Sequence, residues 1–589
     1  MIVAMKKARI IMRLKEAPGA LKDLRSLGLM HVEHNAAPQS NGLAMLQEDA
    51  ILLNTCLEIL DKLEATEKGR AQAKEVPCDW RPAAQHILEL WKRYDQLESF
   101  GYTLSGLISA WEPWGDFDPR QIQRLREKGI FVRLYELPQG QLNKFPENVA
   151  LKQIFTSAGV GRYAAFSRTD FSCPFKEVLL PEQGLCAMRA RLAEDKKIME
   201  AIKQEIDAAV SFRPSLLAQK EKFRKEIEFQ QALAGMAKSG ALTYITGYVP
   251  VDRVQRLTAE AKSKKWGLVV GQPQEEDNVP TLLRNPAWIS IVNPVFKFLE
   301  ILPGYRELDI SLPFLIFFSI FFGMLIGDAG YGLVYALLTF LFQRKAKRQD
   351  ADTAVFFLFY TLSLCAIIWG LLTGTFFGQE WFLKAGYKPL LPGLNEEKSI
   401  QRFCFFLGAV HLTLAHSWRA ILKFPSLSFL SDLGWGCILW AAFFVARLLI
   451  LGDAFPFFGK WLLIAGITLV IFFTSPRRNM LKAAAEGLAT LALGLMNNFT
   501  DVVSYIRLFA VGLAGVAISD ASNSMAGLVG GGGILALAGS VIILLIGHSL
   551  AIVLGPVSVL VHGVRLNVLE FSGHANISWS GISYNPLKE

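Results

Sequence analysis

The sequence predicts a mainly α chain in two parts. The C-terminal part is a polytopic membrane bundle of eight transmembrane helices. The N-terminal part is a cytoplasmic dumbbell of two α/β lobes joined by an antiparallel helical arm. Three observations predict this. Charge is uneven: residues 1–300 hold 79 of the 113 Lys, Arg, Asp and Glu side chains. Residues 301–589 are built from apolar runs of about 20 residues, the length a helix needs to cross a bilayer. Residues 1–300 instead combine strand–helix–strand units with stretches of seven-residue periodicity. A mean hydropathy of +0.31, with 52% apolar residues, is high for a soluble enzyme. The net charge of +9 divides almost equally between the halves, which fits basic loops between spans and not a nucleic-acid surface.

Within 1–300, "KKARIIMRLKEAPGALKDLRSLGLMHVEHN" reads as strand, helix, strand, with Ile10–Met12 and Met30–Val32 as strands and Leu21, Leu24 and Leu27 or Leu29 striping the helix. "ALTYITGYVPVDRVQRLTAEAKSKKWGLVVGQP" repeats the pattern, so 1–40 with 237–300 is expected as a membrane-proximal lobe. Leu46, Leu53 and Leu60 recur at seven, as do Leu185, Leu192, Met199 and Ile206, which places a helical arm at 41–100 and 182–236. The stretch between, 101–181, contains strand-like runs such as "GIFVRLYEL" and "RYAAFS" and is expected as a distal lobe. Seven scattered cysteines, none in a CxxC pair, fit a reducing compartment. "MIVAMKKARIIM" lacks a signal-peptide core, so 1–300 is expected in the cytoplasm. There is no GxxxxGK[ST] loop, no GxGxxG after a strand and no metal-spaced His/Cys cluster; of His31, His34 and His86 none has a ligand neighbour. No enzyme activity, cofactor or metal is expected of the chain by itself.

In the membrane domain, 301–589, Ser311–Phe342 is too long for one span and is interrupted by "GDAGYG" (Gly327–Gly332), giving two helices. Ala354–Phe377, Phe403–Leu422, Leu433–Leu451, Phe457–Thr474, 483–523 and 534–568 complete eight. The loops after even-numbered spans are basic: "QRKAKR" (Gln343–Arg348), Arg419 with Lys423, and Arg477, Arg478 and Lys482. Positive-inside orientation then puts both termini in the cytoplasm and 378–401 on the far side.

Five charges stand in 484–567: Glu486, Asp501, Arg507, Asp520 and Arg565. A mid-span arginine costs about 2.5–3.5 kcal/mol on insertion scales. Arg507 has apolar turns on both sides, so snorkelling does not explain it; a buried ion pair with Asp501 or Asp520 is the bland alternative. Thr500, Ser504, Arg507, Ala510, Ala514, Ala517 and Ala521 share one helix face, and small residues let another helix come close. This pattern points to a passing partner that carries a carboxylate. Arg565 lies near the cytoplasmic end of the last span with His562 a turn earlier; His411 and His548 are packing or proton-path histidines.

At "SYIRLFAVGLA" the chain resembles subunit a (subunit I in bacteria) of the rotary V/A-type ATPases. "GYVP" (Gly247–Pro250), "LLRNP" (Leu282–Pro286), "PGYRELD" (Pro303–Asp309), "FFGMLIGDAGYGL" (Phe321–Leu333), "IIWGLLTGTFFG" (Ile367–Gly378) and "VHGVRLNVLEF" (Val561–Phe571) match that pattern in order. The resemblance implies a stator beside a rotating ring of c/K-type proteolipid subunits, each with a mid-membrane carboxylate. Two half-channels would deliver H⁺ or Na⁺, and Arg507 would stand between them, assisted by Arg565. Ser504, His562, Glu486, Asp501 and Asp520 are the further candidates for ion translocation, with Thr500, Ala510, Ala514, Ala517 and Ala521 as the ring-facing surface. The dumbbell would hold peripheral stalks of E/G type and meet a central-stalk connector of d/C type. The implied place is the bacterial or archaeal cell membrane, with no nucleic-acid partner. Two positions depart from the family pattern: Leu493–Gly494 stands where a carboxylate is usual, and Asn567 where histidine is. The alternative class is a secondary transporter with a cytosolic regulatory domain, which would show an inverted repeat of the Arg507 segment.

Overall fold

Alternation makes β1 (Met5–Arg13) a strand with one covered face: Ala8, Ile10 and Met12 are buried while Arg9, Ile11 and Arg13 are exposed. The computed structural model describes residues 1–33, 40–64, 80–138, 142, 145–157, 160–346, 353–379, 396–476, 480–529 and 533–588. His34, Cys78, Arg477 and Arg478, much of the expected far-side loop 378–401 and most of the "GGGG" turn lie outside those residues. After β1, α1 (Ala17–Leu27) buries Ala17, Ala20, Leu21 and Leu24 and stops at Gly28, whose φ of +59° is the left-handed cap glycine adopts without strain. β2 (His31–Glu33) follows. One sheet has the order β2-β7-β1-β8, with β6 (Ala237–Ser239) on β7 (Leu242–Pro250), and α7 (Val254–Ser263) precedes β8 (Gly267–Gly271).

The chain divides into two compact units. One is Met1–Arg9, Leu29–His31 and Gly247–Pro586; the other is Ile10–Gly28, Val32–Thr246 and Leu587–Glu589. In the second, the heptads 46–63 and 185–206 fall in α2 (Asn41–Glu64) and α5 (Leu185–Ala209). They are not each other's main partners. α3 (Trp80–Trp111) runs along α5 and α2 along α6 (Arg213–Ala234), and Leu53, Leu60, Ile87, Ile202, Ile206 and Leu216 share one core. A strip of seven-residue spacing serves a multi-helix core as well as a two-stranded seam, which is why the sequence alone reads as a coiled coil. Three strands within 131–138, 150–157 and 160–167 form an antiparallel sheet of order β3-β5-β4, preceded by α4 (Pro119–Glu127). "GIFVRLYEL" and "RYAAFS" supply β3 (Phe131–Pro138) and β5 (Val160–Ser167). β4 (Ala150–Ser157) has a register shift between Gln153 and Phe155, which breaks the period-two signal that would mark it.

The first unit carries the apolar helices α8 (Ser311–Ile326), α9 (Ala329–Ala346), α10 (Thr353–Thr373), α11 (Glu397–Lys423), α12 (Phe429–Ala446), α13 (Phe457–Phe473), α14 (Met480–Ser504), α15 (Ile506–Val529) and α16 (Ile534–Ser558). Among the described residues four helical tracts are long and apolar enough to cross a membrane, or five if the bent pair α8–α9 is one span; α13 is shorter. "GDAGYG" explains the bent pair. α8 and α9 meet at 119° across Gly327, which adopts φ +68°. Asp328 is fully buried there, and its carboxylate accepts the backbone N–H groups of Tyr331 (3.1 Å), Phe377 (2.9 Å) and Gly378 (2.7 Å). A carboxylate thus pins the turn to the segment after α10. The central core packs Phe314, Phe321, Leu412, Val502, Tyr505, Leu508 and Leu566 from α8, α11, α14, α15 and the tract after α16.

Candidate functional site

Arg507 lies two residues past a helix break, where α14 ends at Ser504 and α15 begins at Ile506. The buried side chains around the break, Asn498, Val502, Tyr505, Leu508 and Gly512, follow 3–4 spacing and hold one face in the core. Tyr505 is fully buried, and its hydroxyl hydrogen-bonds His411 Nδ1 at 2.8 Å. His411 is in turn stacked between Phe317 (3.8 Å) and Phe571 (4.4 Å). With that face in the core, the opposite face is bare. Thr500, Ala510, Ala514, Ala517 and Ala521 are exposed, and Ser504 and Arg507 are half-buried.

Arg507 donates from Nε to the Ser504 carbonyl (3.0 Å) and from Nη2 to Glu570 Oε1 (2.6 Å). Arg565 Nε stands 3.5 Å from the same Glu570 oxygen. Glu570 is 6% exposed, and its other oxygen, Oε2, is buried with no hydrogen-bond partner among the described residues. His562 sits half-buried, close enough to both arginines to feel their charge. Two cations therefore share one carboxylate, and the cluster keeps one net positive charge. A guanidinium has five N–H groups. Two of Arg507's are engaged by these contacts, so among the described residues three remain to meet another acceptor.

These contacts correct the in-chain alternative of the sequence reading: it was Asp501 or Asp520, and the in-chain partner observed is Glu570. Asp520 lies 13 residues along the helix from Arg507 and Glu486 lies 21 before it. At 1.5 Å per residue these are roughly 20 and 30 Å away, beyond any contact. Asp520 is exposed and Glu486 half-buried. Asp501 turns to His574 instead, with Oδ2 3.0 Å from Nε2. Glu570 is missed because Leu566–Phe571 is a π-helical turn. There i and i+5 stack, so Arg565 and Glu570 meet, whereas α-spacing puts i+5 on another face. The "VRLNVLE" stretch held the residue; only its periodicity misled. Asn567 is fully buried with Nδ2 on the Gly563 carbonyl (3.2 Å).

Beyond Asp501 the polar contacts continue. His574 Nδ1 lies 2.8 Å from His416 Nε2, and His416 Nδ1 lies 3.8 Å from Asp432 Oδ1. Asp432, 1% exposed, also faces Lys423 Nζ (2.7 Å) and Arg419 Nη2 (3.3 Å). Arg419 and Lys423 line a cavity of about 560 Å³ with Arg306, Glu307, Asn576 and Ser578. Burial would raise the Glu307 pKa, but hydrogen bonds from Ser578 and from the backbone N–H groups of Gly304 and Trp579 outweigh it and hold the carboxyl below its usual range. Elsewhere, His548 Nδ1 meets the Tyr331 hydroxyl (2.7 Å) and Nε2 meets Asn523 (3.2 Å).

No family model matches the chain. It is 29% identical over 624 residues to "V-type ATP synthase subunit I 1" of Treponema pallidum (strain Nichols), covering all of both chains. It is 28% identical over 612 residues to "V-type ATP synthase subunit I" of Borreliella burgdorferi, again covering all of both. It is 25% identical over 449 residues to "A-type ATP synthase subunit I" of Methanocaldococcus jannaschii, covering 69% of this chain and 64% of that one. A solved "cytoplasmic N-terminal domain of subunit I, homolog of subunit a, of V-ATPase" aligns with 45% of this chain and 99% of its own at 12% identity, with a TM-score of 0.19, too low to bear on the fold. Relatives named V-type ATP synthase subunit I thus match this chain along its full length, and one named A-type ATP synthase subunit I matches about two thirds of it.

Proposed function

From the full-length homology to subunit I of V-type ATP synthases, we propose that this chain is the non-catalytic stator membrane subunit of a rotary V/A-type ATPase. It provides two ion half-channels and presents Arg507 to a turning ring of proteolipid subunits. Its cytoplasmic half anchors peripheral stalks of E/G type and meets a d/C-type connector. Eight spans keep both termini in the cytoplasm of a bacterial or archaeal cell.

One observation carries the reading: a guanidinium with unused N–H groups stands beside a bare face of small residues and belongs to a cluster with one uncompensated positive charge. Such a cluster fits an incoming carboxylate. A ring carboxylate arriving there is stabilised in its ionised form, so its ion must leave. The fixed positive charge also repels a cation trying to cross directly between the half-channels. Glu570 and the Ser504 carbonyl hold the guanidinium in place, so little reorganisation accompanies each encounter. The small face lets the ring helix pass at close range.

ATP-driven ion uptake by the assembled complex in vesicles tests this. Arg507→Ala abolishes uptake while the complex still assembles. Arg507→Lys works poorly, because a point charge cannot bond Ser504, Glu570 and a third acceptor at once. Near-normal coupled uptake by Arg507→Ala would sink the proposal.

A further inference from the structure

We propose that the cavity lined by Arg306, Arg419 and Lys423 is a headgroup site for an anionic phospholipid, which it holds by the phosphodiester. The inference needs only that the apolar helices lie in a bilayer, so it stands apart from the stator reading.

The cavity lies where three chain segments meet, each at a helix end. Arg306 and Glu307 precede α8, Leu422 and Lys423 close α11, and residues 573–578 follow the last helical tract. Helix ends gathered in this way mark one surface of the bilayer. A volume of about 560 Å³ falls within the range of ordinary small-ligand clefts, roughly 300–1,000 Å³. Basic pockets between membrane helices are where lipid headgroups are recognised.

The cavity carries an excess of positive charge. Arg306, Arg419 and Lys423 stand against Glu307 and, behind Arg419 and Lys423, the buried carboxylate of Asp432. One positive charge is left over, which matches the single negative charge of a phosphodiester. Glu307 does not compete for the cations. Its Oε1 accepts the Ser578 N–H (2.8 Å) and hydroxyl (2.5 Å), and its Oε2 accepts the Gly304 N–H (2.6 Å). The cations are also held in place. Lys423 Nζ lies 2.7 Å from Asp432, Arg419 donates to the His574 carbonyl (2.9 Å), and Arg306 donates to the carbonyls of Glu275 (2.7 Å) and Gln274. Side chains already fixed lose little freedom when a ligand arrives. A choline or ethanolamine headgroup brings a cation of its own, which these three repel.

The apolar surface beside the cavity selects a lipid over free phosphate. Trp418, Ile421 and Leu422 follow 3–4 spacing on α11 and are 41%, 73% and 62% exposed. Arg419 and Lys423 occupy the adjoining face, one residue on in each case. Leu422 belongs to both surfaces, since it lines the cavity and is exposed. Phe424 and Leu427, also exposed, extend the apolar patch past the end of α11. A tryptophan at this level is typical of the membrane–water interface. An amphiphile satisfies both surfaces at once: its phosphate enters the cavity and its acyl chains lie along Trp418, Ile421 and Leu422.

The full-length chain, purified in detergent and stripped of lipid, tests this by its melting temperature during titration with phosphatidylglycerol, phosphatidylcholine or inorganic phosphate. Phosphatidylglycerol is expected to raise the melting temperature saturably, and the other two to leave it unchanged at the same concentrations. Arg306→Gln and Lys423→Gln should each weaken the apparent affinity for phosphatidylglycerol roughly fivefold. Leu422→Gln should weaken it as well, because the acyl chains lose their contact. If Lys423→Gln fails to fold with Asp432 left unpaired, the double variant with Asp432→Asn is read instead; Arg306 lies outside the helices and serves in any case. An equal shift with phosphatidylcholine would overturn the headgroup assignment. An equal shift with inorganic phosphate would show an anion site that takes no lipid, and would overturn it too. So would no shift with any of the three, or wild-type affinity in both Arg306→Gln and Lys423→Gln. None of these outcomes touches Arg507, so the stator reading stands or falls separately on vesicle uptake.

Discussion

Glu570 is the residue on which the site's geometry turns. It holds Arg507 at 2.6 Å and Arg565 at 3.5 Å with a single oxygen. Removing one partner of a buried ion pair costs about 3–5 kcal/mol, and Arg507's partial exposure places this case near the lower end. Glu570→Gln is therefore expected to cost about 3 kcal/mol and to lower coupled transport at least tenfold, with Glu570→Asp recovering part of it; thermal aggregation of the solubilised chain and vesicle uptake measure both. Wild-type uptake by assembled Glu570→Gln would show that Arg507 needs no in-chain partner. A second residue, Asp453, gives a pH prediction. Hydrogen bonds and charge from Arg402 and Arg447 hold its carboxyl at about 2, below the usual carboxylate value of about 3.9. Its folded-state pKa is depressed, so its contribution is full above about pH 4 and disappears as pH falls toward 2. Melting temperatures of wild type and Asp453→Asn should differ at pH 6 and converge near pH 2; a gap that stays constant would contradict the pairing.

Elements meet in this chain through glycine and through broken helices. Gly512, on α15, lies so close to α8 that an added Cβ would stand 2.5 Å from the Met324 carbonyl oxygen. Gly512→Val therefore pushes α15 off α8, an overpacking penalty of about 1–3 kcal/mol. Because Arg507 rides on α15, the expected result is lower thermal stability together with weakened coupling; unchanged melting of the variant would mean the helices separate freely. In the N-terminal half, Leu53 is fully buried among α2's neighbours, and Leu53→Ala should cost about 2–5 kcal/mol, read by urea denaturation. A loss well under 1 kcal/mol would place Leu53 outside a packed core.

At the scale of the whole molecule, orientation is a matter of charge. The basic loops predict that cysteines introduced at 384–398 label from outside intact cells, in a cysteine-free background. Labelling that needs permeabilisation rejects the eight-span topology. Most of that stretch, 384–395, lies outside the described residues, so the prediction stands on the positive-inside rule.

Much was determined by the sequence itself. The division into a charged half and an apolar half follows from composition, because a bilayer excludes charge wherever the chain crosses it. The bare face of Thr500, Ala510, Ala514, Ala517 and Ala521 follows from 3–4 spacing, a local property of any helix. Arg507 stood out because its cost in lipid is intrinsic to the residue. What the tertiary structure decided is which distant groups meet. Glu570 joins Arg507 across 63 residues, and only through a π-helical turn that shifts its face. His574 reaches Asp501 across 73 residues and His416 across 158, in a segment whose sequence shows no ligand spacing. Periodicity fixes the direction a side chain takes from its own helix axis, but pairing depends on how helices separated by a hundred residues pack, and no local pattern encodes that.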